Sequence, residues 1–326
     1  MNRDHSRTLF PKELPTREWL EFKARGFSAP VTGVIYTSQE PPECGMPLGG
    51  IDTGCLDLEA TGTLGFATIF NSLAPRRGPI NLPVLGLSME THVGPTLVQQ
   101  TWVLTTVNFQ TRRTIENVNT HINPLRYYNP NRGCEKIEYW GHYPVVDMEF
   151  QTNAPVSVGL RAWSPFIPGD VAASNVPGAV FEVHLRNPDQ RPQAGALTFS
   201  FPGPSAEEAG TSVFERREIA GDFHGVEVTW KQGGYALGVI DDKPARMGGD
   251  LGVSGHDWQC VREFLPPVVG QAGSALSVDF HLEPGEEKNH PVCPRLACPA
   301  MDGRRPNERR RECLHTHVRR PFPRRC

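Results

Sequence analysis

The sequence predicts an all-β chain: a large antiparallel two-sheet β-sandwich with a short N-terminal helix and an irregular C-terminal tail. Three observations carry this. Apolar and polar residues alternate at a period of two over many short runs. With 32 Gly and 31 Pro the chain has turn residues to punctuate those runs. Nothing resembles the strand–helix alternation that builds a parallel sheet.

The helix is placed near the start. Thr16 caps it, Glu18 sits in its first turn, Trp19, Leu20 and Phe22 supply apolar contacts, and Gly26 ends it. After that the period falls to two. Leu56, Leu58 and Ala60 alternate with Asp57 and Glu59 before a Thr61-Gly62 turn, and Val156, Val158, Leu160 and Ala162 form a second set. Phe181 to Arg186 stops at Asn187-Pro188-Asp189, and Leu197, Phe199 and Phe201 resume beyond it as the other arm of a hairpin. Val226 to Trp230 and Tyr235 to Ile240 flank Lys231 to Gly234 as another. Leu276, Val278, Phe280 and Leu282 give a last strand before the Glu283-Pro284-Gly285-Glu286 turn. Irregular stretches such as Phe166 to Pro177 read as loops on the sandwich.

Composition divides the chain into three. Residues 1–30 are an extension with the short helix, residues 31–288 are the β-sandwich, and residues 289–326 are a basic irregular tail. From Asn289 onward ten Arg and no Lys stand against three acids, which leaves a body of 23 basic and 33 acidic residues. An acidic body argues against nucleic acid as a partner. The tail reads as a disordered basic arm or as out-of-frame translation. A zinc site fails on spacing, because Cys313, His315 and His317 do not match Cys293 and Cys298. Cys44, Cys55, Cys134 and Cys260, scattered through the body, read as small buried hydrophobes. A polar N-terminus without an apolar core and the lack of any long apolar run predict no signal peptide, no membrane span and a cytoplasmic location.

The sequence carries no assignable catalytic constellation. There is no Gly-x-Ser-x-Gly elbow, His-Glu-x-x-His pair or phosphate-binding Gly-Lys-Ser/Thr loop. The Gly49 to Gly54 run has the wrong spacing for a dinucleotide fingerprint and reads as a tight turn. His142, between aromatics, reads as a packed structural residue. Asp147, Glu149 and Asp170 could form a glycosidase-like carboxylate pair, but acids on strands and turns are usually solvated. No catalytic, metal or cofactor site is expected.

Ordered strings then become informative. Gly45-Met46-Pro47-Leu48-Gly49-Gly50-Ile51-Asp52-Thr53-Gly54, Ile69-Phe70-Asn71-Ser72, Tyr139 to Pro144, and Ala162 to Asp170 with Ser174 and Pro177 resemble the N-terminal domain of glycoside hydrolase family 116. That family holds the non-lysosomal glucosylceramidases (bile-acid β-glucosidases) and bacterial β-glucosidases. The likeness runs from about Phe10 to Lys288. Asp52 stands where the family usually has glycine and Cys44 where it has an aliphatic residue. The arginine-rich tail stands where a further strand with a tryptophan is expected.

The resemblance implies a β-sandwich followed by a catalytic (α/α)₆ domain that carries both working acids, a glutamate nucleophile and an aspartate acid/base. No catalytic residue transfers to this sequence, so no activity is expected of these residues alone. The implied partner is that (α/α)₆ domain, and through it a β-glucoside or glucosylceramide, which would tie the chain to carbohydrate and sphingolipid metabolism. Loops containing Gly49, Gly50, Asp52, Gly54, Asn71, Arg76, Ser164 and Asp170 are expected to face the domain interface or cleft. The alternatives are a free carbohydrate-binding module stacking sugars on Trp102, Trp140 or Trp163, and a nonfunctional truncated product.

Overall fold

A computed structural model describes residues 20–23, 29–33, 35–37, 41–69, 75, 77–93, 96–107, 127–128, 131–221, 223–231, 233–240, 244–268 and 270–297. In chain order the strands are β1 (Leu20–Phe22), β2 (Val31–Gly33), β3 (Ile35–Thr37), β4 (Met46–Leu48), β5 (Leu56–Leu58), β6 (Leu64–Ala67), β7 (Leu85–Val93), β8 (Thr96–Val103), β9 (Tyr127–Tyr128) and β10 (Lys136–His142). They continue as β11 (Val145–Gln151), β12 (Ser157–Trp163), β13 (Val180–Arg186), β14 (Gln193–Phe201), β15 (Glu215–Ile219), β16 (His224–Trp230), β17 (Gly233–Val239), β18 (Ala245–Gly248), β19 (Ser274–Leu282) and β20 (Glu287–Ala297). Three short helices interrupt them: α1 (Val171–Ser174), α2 (Ala206–Ala209) and α3 (Gly255–Cys260).

The chain is mostly β and almost wholly antiparallel, as predicted; β8 and β9 form a parallel pair. The strands fall into four sheets where two were expected. A nine-stranded sheet runs β15-β16-β17-β20-β13-β12-β11-β10-β3 and a six-stranded sheet runs β18-β19-β14-β7-β8-β9, with β4-β5-β6 and β1-β2 as small additions.

The core lies where the two large sheets meet. Phe181 of β13 and Phe199 of β14 pack edge to face with centroids 4.9 Å apart, and Phe201 meets Tyr235 of β17 at 5.1 Å. The alternation read from sequence puts Val156, Val158, Leu160 and Ala162 in this core, with Leu276, Val278, Phe280 and Leu282 opposite. On the outer face of the six-stranded sheet, α3 lays Trp258 against Val103, Leu251, Val261 and Ala275.

Four sequence readings are corrected. The predicted N-terminal helix is a strand at Leu20–Phe22, paired with Val31–Gly33; Leu20 and Phe22 alternate, which suits a strand as well as a helix turn. The rest of that predicted helix lies outside the described residues. The two arms expected to pair across Asn187 do not pair. β13 bonds to β12 and β20, whereas β14 bonds to β7 and β19. The Asn187 turn instead carries the chain from one large sheet to the other, and the Asn187 amide donates to the Arg191 carbonyl at 2.8 Å and the Leu282 carbonyl at 3.2 Å.

The irregular segment expected from Asn289 is also corrected in part. β20 continues to Ala297, pairing with β13 through Val292 and with β17 from Val292 onward. It holds two halves of the nine-stranded sheet together. Finally, the cysteine reading holds only for Cys260. All four body cysteines are free thiols, but Cys44 is exposed and Cys55 and Cys134 are partly exposed. The hairpin of β16 and β17 is found as predicted, with Trp230 opposite Gly233.

Candidate functional site

The loops singled out from sequence converge on one end of the nine-stranded sheet. Trp163, the last residue of β12, lies opposite Val180, the first of β13, and also opposite Val145, the first of β11. The Tyr143-Pro144 turn and the Ser164–Gly178 connection therefore leave the sheet at the same end.

The glycine-rich loop between β4 and β5 is tied onto them. The Gly49 N–H donates to the Ser164 hydroxyl at 2.6 Å, the Ile51 N–H to the Ser174 carbonyl at 3.1 Å, and the Asp52 N–H to the Asn175 side-chain oxygen at 3.2 Å. Gly50 is required by closeness: a Cβ there would lie 2.9 Å from the Asn175 backbone carbon and the Val176 carbonyl oxygen. Gly54 is required by conformation, with φ of 81°. Asp170 caps α1 by accepting the Ala173 N–H at 2.9 Å. The Ser174 hydroxyl accepts the Ile167 N–H at 3.0 Å, closing the same loop.

Six of the eight residues named from sequence are thus brought together: Gly49, Gly50, Asp52, Gly54, Ser164 and Asp170. Asn71 and Arg76 lie outside the described residues.

This hydrogen-bonded scaffold displays apolar side chains outward. Ile51 is 55% exposed, Tyr143 38%, Phe166 38%, Ile167 40% and Val171 71%. Tyr143 and Phe166 pack edge to face, centroids 5.6 Å apart, and the Tyr143 hydroxyl reaches the Gly49 carbonyl at 3.4 Å. Sequence reasoning found the loops through their motif density but missed these side chains. Exposure is a tertiary property, and an apolar residue in a loop has no periodicity to betray it.

The candidate chemical groups are occupied elsewhere. Asp147 and Glu149 are buried, not solvated as expected. Both carboxylate oxygens of Asp147 take a bidentate Arg161 at 2.8 Å, the geometry of a structural ion pair. Asp170 is a cap on a separate loop. Among the described residues no three His, Cys, Asp or Glu side chains gather to hold a metal ion. Trp102 is 3% and Trp140 1% exposed, so neither presents a face to a sugar; Trp163 is partly exposed.

A second feature lies at the same end, beyond β17. A groove of about 540 Å³ is bounded by Pro202, Phe214, Asp250, Val253, Gln271 and Ala272.

Fold and loop face together define a strand-rich domain that presents an apolar surface at one end. The family described as "beta-glucosidase 2, glycosyl-hydrolase family 116 N-term" matches residues 45–239, and the chain belongs to that family. The match takes in every loop of the apolar face. No curated protein matches the chain. Among solved structures, a similar chain is titled "Putative kojibiose phosphorylase from human microbiome", at 8% identity and a TM-score of 0.38. The match covers 82% of this chain and 32% of that one, so this chain spans about a third of that protein's length.

Among the described residues no helix is long and apolar enough to cross a membrane.

Proposed function

We propose that this chain is a non-catalytic supporting domain of a β-glucosidase-like glycoside hydrolase, and that it docks a catalytic (α/α)₆ domain on the Ile51–Val171 face. The observation that carries the reading is the pairing of a rigid, hydrogen-bonded loop scaffold with five outward apolar side chains. Exposed apolar patches on a soluble surface mark interaction sites. Aromatic anchors such as Tyr143 and Phe166 are the residue types that dominate interface energies.

Position adds support. Residues 293–297 of β20 run past the start of β13, so the chain leaves the sheet at the end bearing this face. A domain following in sequence is delivered to it. In this reading the nine- and six-stranded sheets are the two layers of a β-sandwich, the loops around Gly49 and Ser164 form one wall of the cleft, the substrate is a β-glucoside or glucosylceramide held by the partner, and the location is cytoplasmic. Burial of Trp102 and Trp140 speaks against the free sugar-binding alternative.

The test is to mix the chain with a separately expressed family 116 catalytic domain and measure association by calorimetry. A complex weakened at least tenfold by the double substitution Tyr143→Ser and Phe166→Ser is expected. Absence of any complex, or one indifferent to the double substitution, sinks the reading.

A further inference from the structure

Two apolar features open at one end of the molecule. The loop face stands where β12 ends and β13 begins. The groove stands where β14 ends and β19 begins, with Phe201 opposite Ser274 at its base. Phe181, second in β13, packs on Phe199 near the close of β14, which sets the two ends level across the core. Tyr235 of β17 ties them together, its ring against Phe201 and its hydroxyl donating to the Ala272 carbonyl in the groove wall. From β17 the large sheet runs through β20, β13 and β12 to β11. Four spacings of about 4.8 Å put the groove roughly 20 Å from the turn that carries Tyr143.

The groove is braced open. Arg216 donates to the Gly273 carbonyl at 2.8 Å and the Gly248 carbonyl at 3.3 Å, and the Ser200 hydroxyl accepts the Leu251 N–H at 2.9 Å. Arg77 donates to the Gly203 carbonyl at 3.1 Å and pairs with Glu208 at 3.3 Å. Phe214 is seated edge to face on Trp230 at 5.9 Å. Walls formed in advance spare a ligand the ordering penalty of binding. The rim is apolar. Val253 is 60% exposed, Val213, between the lining residues Ser212 and Phe214, is 71% exposed, and Pro202 and Pro204 lie inside. A hollow of about 540 Å³ admits a protruding group, not a flat surface.

Area indicates what covers it. An obligate interface buries about 1,000–2,500 Å² on each side and is more apolar than the surface around it. At ~150–250 Å² per large side chain, the five outward residues of the loop face present on the order of 450 Å². A partner held by them alone is held by less than half the usual surface. A footprint of about 1,000 Å² is on the order of 35 Å across, wide enough to take in the groove.

We infer that, given the docking proposed above, the groove receives an uncharged apolar loop of the catalytic domain, so that one partner covers the loop face and the groove together. The loop tip enters between Val213 and Val253 and lies along Pro202 and Phe214. Shared position, missing area and an apolar rim converge on this occupant.

Calorimetry with a separately expressed family 116 catalytic domain tests it. Val213→Asp and Val253→Asp should each weaken the complex about tenfold. Gln190→Glu, which adds a charge at an exposed position at the opposite end, should leave it unchanged. Groove and loop-face substitutions, roughly 20 Å apart, should multiply when combined. Hydrogen exchange at residues 202–214 and 250–254 of the unsubstituted chain should slow on complex formation. A complex sensitive to Tyr143→Ser with Phe166→Ser but indifferent to both valine substitutions overturns the groove's occupant and leaves the docking standing; absence of any complex removes both. Unchanged exchange at the groove also overturns it, whether or not the valine variants fold by circular dichroism. Self-association of the chain alone, lost in Val253→Asp while the complex is intact, would give the groove to a second copy instead.

Discussion

Two aromatic pairs of nearly identical geometry sit in opposite surroundings. Phe181 and Phe199 meet at 4.9 Å and 63° with 0% and 1% exposure, while Tyr143 and Phe166 meet at 5.6 Å and 61° with 38% exposure each. The first pair joins the two large sheets. The second joins two loops and faces outward. Edge-to-face packing is worth about 0.5–1.5 kcal/mol beyond burial in either setting, so the pairing energy does not distinguish them. Burial does. The inner pair stabilises this fold, and the outer pair keeps its apolar area available for something else.

That contrast can be broken. Phe199→Ala should cost about 3–5 kcal/mol of unfolding free energy, read from urea titration, because it opens a cavity between sheets that cannot easily collapse. A cost below about 1 kcal/mol would mean the two sheets do not share a tight core. Ser164→Ala should cost about 1–3 kcal/mol, since it strands the buried Gly49 N–H. Its loss should be felt at the loop face as well, as raised protease sensitivity near Gly49. Phe166→Ala should change unfolding free energy by no more than about 0.5 kcal/mol, the usual range for exposed sites, while weakening the docking proposed above. A large stability loss from Phe166→Ala would make the outer pair structural and collapse the contrast.

The smallest effect concerns the strand beneath the face. Burial holds the Asp57 carboxyl above its ordinary range; burial first and then the Asp57 charge do the same for Glu59. A raised carboxylate binds its proton more tightly folded than unfolded, so stability falls as pH rises from about 4 through the folded-state value. Asp57→Asn, which keeps an acceptor for the Phe66 N–H, should therefore raise the melting temperature at pH 7 and leave it unchanged below pH 4. An equal gain at both values would locate the effect elsewhere.

The sequence displayed its strands where alternation is clean. Leu276 to Leu282 and Val156 to Ala162 show a period of two because one face of each is in the core. What alternation does not encode is partnership. Phe181 to Arg186 and Gln193 to Phe201 look like hairpin arms, yet Asn187 turns the chain across the core, because its amide bonds to carbonyls of the neighbouring β19 end. β20 escaped notice for a local reason. Pro291 and Pro294 lack the N–H that a central strand normally donates, and such residues argue against a strand when read in isolation. The candidate loops were legible because glycine at Gly50 and Gly54 is forced by close approach and positive φ. The apolar side chains those loops carry were not, since nothing in a local window reports what lies beyond the surface.

β20 gives the protein an order of events. Among the described residues it is the last strand to be synthesised, and it pairs with both β13 and β17. Until residues 287–297 arrive, a growing chain presents two unpaired strand edges, and open edges invite pairing with other chains. Closure of the large sheet thus waits on a segment nearly 300 residues into the chain, and damage there leaves two sticky half-sheets instead of one slightly weakened sheet.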